Sequence, residues 1–130
     1  MSMIIGIVVV AVFAALFGYQ WRMTRNAQRQ VGQAVAPMDP VVDARLLERG
    51  KVLLYFFSPS CGPCRLMTPR IDAAARQHDN VFKFDVSQST ALARQLGVMA
   101  TPTTVLVTAG KIETVKLGSL SDDALALMLR

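Results

Sequence analysis

The sequence predicts an α/β domain, a mixed sheet flanked by helices, preceded by one N-terminal transmembrane helix. Three observations carry that expectation. The chain opens with an uncharged stretch, Met3 to Trp21, long enough for a membrane helix. Val52 to Phe57, "VLLYFF", is a continuous apolar and aromatic run of the kind buried on both faces of a helix-covered sheet. Helical and β-rich segments then alternate, joining parallel strands through helices, and the last two β-rich runs are separated by a tight turn.

The N-terminal segment comes first. At 1.5 Å per residue, Met3 to Trp21 spans roughly 28 Å as a helix, close to the hydrocarbon thickness of a bilayer. Tyr19 and Trp21 fall where interfacial aromatics belong, and Arg22, Arg25 and Arg29 follow on the polar side. A cleaved signal peptide is the rival reading. It lacks a cationic head here, since the chain begins "MSM", and the late Ala34-Val35-Ala36 lies well past the apolar run. A helix buried in a soluble core would carry a polar stripe, and this one has none.

The three arginines after the span, against a lone α-amino group before it, favour a single-pass protein of a bacterial-type inner membrane with its C-terminal domain on the cytoplasmic side. The periplasmic side is the alternative. The expected division is a span over 1–21, a juxtamembrane tether over 22–40 and a folded domain over 41–130. Gln20 to Ala36 is rich in helix formers and is expected to continue the helix until Pro37 and Pro40 end it.

Within the domain, Asp43 to Arg49 suits a short helix before the central strand. Gly62 to His78 reads as a helix with Leu66, Ile71, Ala74 and Ala75 at helical spacing and Pro69 expected to kink it. Val81 to Val86 is a second strand, and Ser87 to Leu96 a short helix that Gly97 ends. Thr103 to Thr108 and Lys111 to Leu117 form a hairpin across Ala109-Gly110. Ser121 caps a last helix whose first turn holds Asp122 and Asp123.

Charge narrows the function classes. Of 14 basic residues, three follow the leader directly, leaving 11 against 9 acidic residues from position 37 onward. That balance and the lack of a basic stripe with interleaved aromatics exclude a nucleic-acid partner. His78 reads as a helix-end residue, and the seven methionines mark no copper site.

Cys61 and Cys64 are the only cysteines, so they make no disulfide framework, and a bridge between them closes too small a loop to staple a fold. A metal site within one chain needs two more ligands, and the chain offers only His78; a metal bridged between two chains stays open. The pair sits where the buried strand ends and a helix begins. The unpaired amides and dipole of the first helical turn favour a thiolate at Cys61. Spacing i, i+3 lets Cys64 reach a partner held by Cys61, so the pair suits disulfide exchange in which Cys61 attacks and Cys64 resolves. Arg65 adds positive charge nearby.

"CGPCRLMTP" followed by "GVMATPTTVLVTAGKIETVKLGSLS" resembles the thioredoxin family over about residues 45–129. The resemblance implies a thioredoxin-like fold and an enzyme that reduces protein disulfides, with no cofactor beyond the Cys61–Cys64 redox pair. It also implies protein thiols and disulfides as partners, an upstream reductase as electron donor, and Gly62 and Pro63 as the residues between the cysteines. Pro102 would be a cis proline facing the site, and the Thr101 backbone would pair with a bound substrate strand.

Two departures stand out. Ser60 replaces the Trp usual before the first cysteine, and Tyr55 replaces the buried Asp that helps deprotonate the resolving cysteine. Lys83 aligns with that Asp's usual partner. Slow resolution at neutral pH follows as an expectation, as does a domain trimmed at its first strand, because "APMDPVV" is a poor strand. A redox-silent scaffold using the groove beside Pro102 is the other function class, and a periplasmic thiol reductase serving cytochrome or disulfide maturation is a third.

Overall fold

The alternation inside VLLYFF organises the molecule. In the computed structural model, which describes residues 1–36 and 42–130, Lys51–Phe57 forms strand β1 at the centre of a four-stranded sheet. Val52, Leu54 and Phe56 point to one face and Leu53 and Tyr55 to the other, and all five are fully buried. Burying both faces is why the run shows no polar alternation.

Strand β2, Val81–Asp85, lies parallel to β1, while β3, Thr103–Thr108, lies antiparallel on its other side and pairs with β4, Lys111–Leu117. The strand order is β2-β1-β3-β4. Ala109 and Gly110, with φ of 50° and 75°, make the two-residue turn between β3 and β4. Positive φ at both positions matches the right-handed twist of the hairpin, and Gly110 takes it without Cβ cost.

Helices cover the two faces. α1 spans Ser2–Gln28 and α2 spans Ala44–Arg49, with the Asp43 side chain accepting from Arg45 N at 2.8 Å. α3 is Gly62–Gln77, α4 is Thr90–Gln95 and α5 is Asp122–Leu129. One core joins Val42 and Leu47 to Leu54, Phe56, Phe84, Ala93 and Leu96. The other packs Met67 and Ile71 of α3 and Leu125 and Met128 of α5 on Leu53, Tyr55 and Leu106. Arg70 ties α3 to the start of α5 through a 2.7 Å bond from its guanidinium to the Leu120 carbonyl.

Three expectations are corrected. α3 buries Cys64, Met67 and Ile71, whereas Leu66 is 74 % exposed and Ala75 is exposed too. The buried stripe follows i, i+3, i+7 from Cys64, and Pro69 lies inside the helix.

The leader helix ends at Gln28 and does not run to Ala36. Gly32, at φ +86°, turns the chain, and the following residues add antiparallel hydrogen bonds to the free edge of β4: Gly32 N to Ile112 O at 2.7 Å, Ile112 N to Gln33 O at 2.9 Å and Val35 N to Gly110 O at 2.8 Å. An open sheet edge offers unpaired N–H and C=O groups, and here the chain's own tether takes them up. Pro37 and Pro40, expected to end that helix, lie outside the described residues.

The short helix before Gly97 starts at Thr90, because Asp85 holds Ser87 and Ser89 in a turn first. Among the described residues no strand flanks the outer edge of β2. The "APMDPVV" segment falls largely outside them.

Candidate active site

Cys61 stands four residues beyond β1 and is the N-cap of α3; its sulfur accepts the Cys64 backbone N–H at 3.2 Å. Pro63 in the first helical turn fits there because its missing N–H would have had no intrahelical partner. The two cysteines are bonded as a disulfide with Cα atoms 5.3 Å apart. Cys61 is half-buried and Cys64 is 2 % exposed, so an incoming group meets Cys61 first.

Pro102 lies across from this turn. Phe56 pairs with Thr103, so the residues after β1 and those before β3 emerge at the same end of adjacent strands. The Thr101–Pro102 bond is cis, as the resemblance implied. Thr103 anchors the loop by donating its hydroxyl to the Ala100 carbonyl at 2.6 Å. Pro102 itself is buried and its carbonyl accepts from Gly118 N at 2.8 Å, while the Thr101 peptide groups have no intramolecular partner among the described residues. Exposed Ser60 meets Ser58, hydroxyl to hydroxyl at 3.1 Å, and Gly62 and Arg65 are exposed on the first turn of α3.

Beneath the cysteines, Tyr55 and Lys83 are register partners on β1 and β2 but do not bond to each other. The Tyr55 hydroxyl meets the Thr68 hydroxyl at 3.1 Å, and Lys83 pairs with Asp72 at 2.7 Å. Lys83, which aligns with the usual partner of the Asp that Tyr55 replaces, is exposed on its strand and pairs with Asp72 instead. A phenol offers no charge for an ammonium to pair with, and a carboxylate one turn along α3 does. Thr68 and Asp72 were missed by sequence reasoning; their signal was the spacing i+4 and i+8 from Cys64, which puts all three along one face of the helix. Lys83 and Asp72 side chains are 38 % and 41 % exposed, so this pair contributes at most about 1 kcal/mol.

Burial pushes the Tyr55 phenol above its ordinary value, with Asp72 adding to the rise and the Thr68 hydrogen bond and Lys83 opposing it. Tyr55 is thus a neutral hydroxyl at physiological pH. A folded-state pKa above the unfolded one gives stability that is fully present below the unfolded value near 10 and is lost as pH rises through the folded value. Tyr55→Phe is therefore expected to lower unfolding free energy at neutral pH by about 1 kcal/mol, from the lost bond to Thr68. It is also expected to remove part of the alkaline loss above pH about 10. Urea unfolding of the detergent-solubilised chain at both pH values checks this.

Among the described residues no three His, Cys, Asp or Glu side chains gather as a metal would need. The arrangement of a bonded pair, one sulfur accessible at a helix N-terminus and free peptide groups beside it, is suited to exchange with a disulfide on an extended chain.

Comparison with known proteins agrees. A thioredoxin family profile matches residues 39–130. Thioredoxin from Chlamydia muridarum is 34% identical over 82 residues, covering 62% of this chain and 80% of that protein. Thioredoxin from Pseudomonas aeruginosa is 32% identical over 83 residues, 62% and 77% of the two chains. Among solved structures, a mutant thioredoxin from Halobacterium salinarum superposes with TM-score 0.59 at 35% identity, covering 66% of this chain and 78% of its own. The profile match begins after α1, which lies outside it.

Proposed function

The chain belongs to the thioredoxin family and is a thiol–disulfide oxidoreductase whose redox group is the Cys61–Cys64 pair, and from that premise we propose that it reduces protein disulfides at a membrane surface. Reduced Cys61 attacks a substrate disulfide as the thiolate, forming a mixed disulfide and releasing one substrate thiolate, which takes up a proton. Cys64, deprotonated, then attacks Cys61, which releases the second substrate thiol and closes the Cys61–Cys64 disulfide. The substrate disulfide gains two electrons and the cysteine pair loses two. An upstream reductase restores the dithiol.

The observation that carries this reading is the half-buried Cys61 at the N-cap of α3, at the same end of the sheet as cis Pro102 and the Thr101 peptide, which has no partner among the described residues. Thr101 supplies backbone hydrogen bonds to the extended substrate, and Pro102 packs beside the disulfide. Ser60, Gly62 and Pro63 leave the approach to Cys61 open, and Arg65 favours the thiolate. Residues 1–21 form the membrane span, and the juxtamembrane segment holds the domain of residues 41–130 close by. α1 is long and apolar enough to cross a bilayer, and none of its apolar window is buried against the domain. The arginines after it favour a cytoplasmic domain, and the Gly-Pro pair between the cysteines favours reduction.

Cys64→Ser tests the reading, because it permits the first attack and blocks resolution. Membranes carrying this variant are expected to accumulate mixed disulfides on Cys61 that a small dithiol releases. Their absence would favour a redox-silent scaffold. Slow labelling of Cys61 in intact cells by a membrane-impermeant thiol reagent is expected, and rapid labelling would place the domain in the periplasm.

A further inference from the structure

From the way α1 and its tether join the sheet, we infer that the redox site faces the bilayer, and that its substrates are membrane-anchored proteins whose disulfides lie close to the membrane surface. The inference rests on the membrane reading of α1. Residues 32–35 run antiparallel to β4, with Ala34 opposite Lys111 and Val35 bonded to Gly110, so the chain travels from the tether toward the hairpin turn while β4 travels back. The other end of β4 is Leu117. There α1 meets the sheet: Tyr19, Gln20, Met23 and Thr24 line a common cleft with Leu117.

Leu117 is paired with Thr103, and Gly118 N donates to the Pro102 carbonyl at 2.8 Å. The end of the sheet beside the interfacial aromatics of α1 is thus the end that carries Pro102 and, on the adjacent strand, Cys61. The apolar residues from Met3 to Gly18 precede this contact and are all exposed, and we place them beyond the active-site end of the sheet because the chain runs from the contact at Leu117 toward the hairpin turn.

Surface chemistry agrees with that placement. Leu66, two residues past Cys64, is 74 % exposed, and Met99, three before Pro102, is 66 % exposed; both are exposed apolar side chains close in sequence to the site residues. Arg22, Arg25 and Arg29 supply cations at headgroup depth, with the Arg25 guanidinium 3.8 Å over the Trp21 ring. A disulfide held near the bilayer meets Cys61 with little diffusion, whereas one held far above it must pass the body of the domain.

The test uses the full-length chain in vesicles of mixed zwitterionic and anionic lipid. A fluorophore is placed on Cys61 in Cys64→Ser, or on Asp79→Cys in a Cys61→Ser, Cys64→Ser background, since exposed Asp79 lies at the opposite end of the sheet. Lipid carrying a headgroup spin label is expected to quench the Cys61 probe several-fold more than the residue-79 probe.

The substrate class is tested in the same vesicles with pre-reduced wild-type chain. Transmembrane peptides present a disulfide either next to the span or beyond a rigid helical spacer of about 20 residues, roughly 30 Å. Reduction of the near disulfide is expected to be about tenfold faster, because the effective concentration falls when the tether holds the groups apart. Equal or reversed quenching, or faster reduction of the distant disulfide, overturns the inference while the chain still floats with the vesicles. Failure to float overturns the membrane reading itself and this inference with it.

Discussion

Cys61→Ser is expected to abolish both turnover and mixed-disulfide formation, while Cys64→Ser abolishes turnover alone. The asymmetry follows from position. Cys61 caps α3 and is half-buried, so its sulfur is the one an incoming disulfide reaches, and helix-terminal amides stabilise its thiolate. Cys64 is 2 % exposed and meets only what Cys61 already holds. Disulfide reduction by the two purified variants, followed by non-reducing electrophoresis of the reaction with a substrate protein, checks this. Mixed disulfides forming through Cys64 in the Cys61→Ser variant would reverse the assigned order.

Tyr55→Asp is expected to speed the resolving step at neutral pH by on the order of 100-fold, the lower range for a positioned proton acceptor. Cys64 must lose its proton inside the fold, and the wild-type chain offers it neutral hydroxyls, Thr68 one turn along α3 and Tyr55 bonded to it. Neither accepts a proton well near pH 7. A carboxyl at position 55 would be desolvated, which raises its pKa toward neutrality and suits it to the role. The substitution also removes a fully buried ring that stacks on Phe57, so a stability loss of about 3 kcal/mol or more is expected alongside the gain in rate. Double-mixing stopped flow, which forms the mixed disulfide and then times its release, separates the resolving step from attack. An already rapid wild-type rate with no gain in the variant would show that Tyr55 does not slow resolution.

Much of this fold was legible because its signals are local. VLLYFF announced a strand buried on both faces, and Ala109-Gly110 announced the hairpin. Asp43 and Ser121 marked helix starts where their side chains now accept backbone N–H groups. What escaped depends on contacts distant in sequence. Leu66 and Met67 are adjacent and both apolar, so periodicity alone left the phase of α3 open; contact with Leu120 settles it, since the Leu120 N–H donates to the Met67 sulfur at 3.5 Å.

Residues 32–35 resemble the rest of a polar tether, and only the vacant edge of β4 gives them a partner. At the site, the cysteines and Pro102 were readable from their motifs. The pairing of Lys83 with Asp72 was not, because it depends on which side chain of the preceding helix comes within 2.7 Å once that helix is packed on the sheet. The departure at Tyr55 was visible, but its partner Thr68 required the helix to be placed on the strand.

The central claim is that one chain exchanges two electrons with a protein disulfide through Cys61 and Cys64, and thiol counting tests it most directly. Full-length chain, reduced by a small dithiol and freed of it, is mixed with excess disulfide-containing protein and both thiol pools are measured. Loss of both chain thiols for each substrate disulfide opened, with one turnover per chain until dithiol is added, is the expected result. Chain thiols that persist while the substrate disulfide stays closed would contradict it.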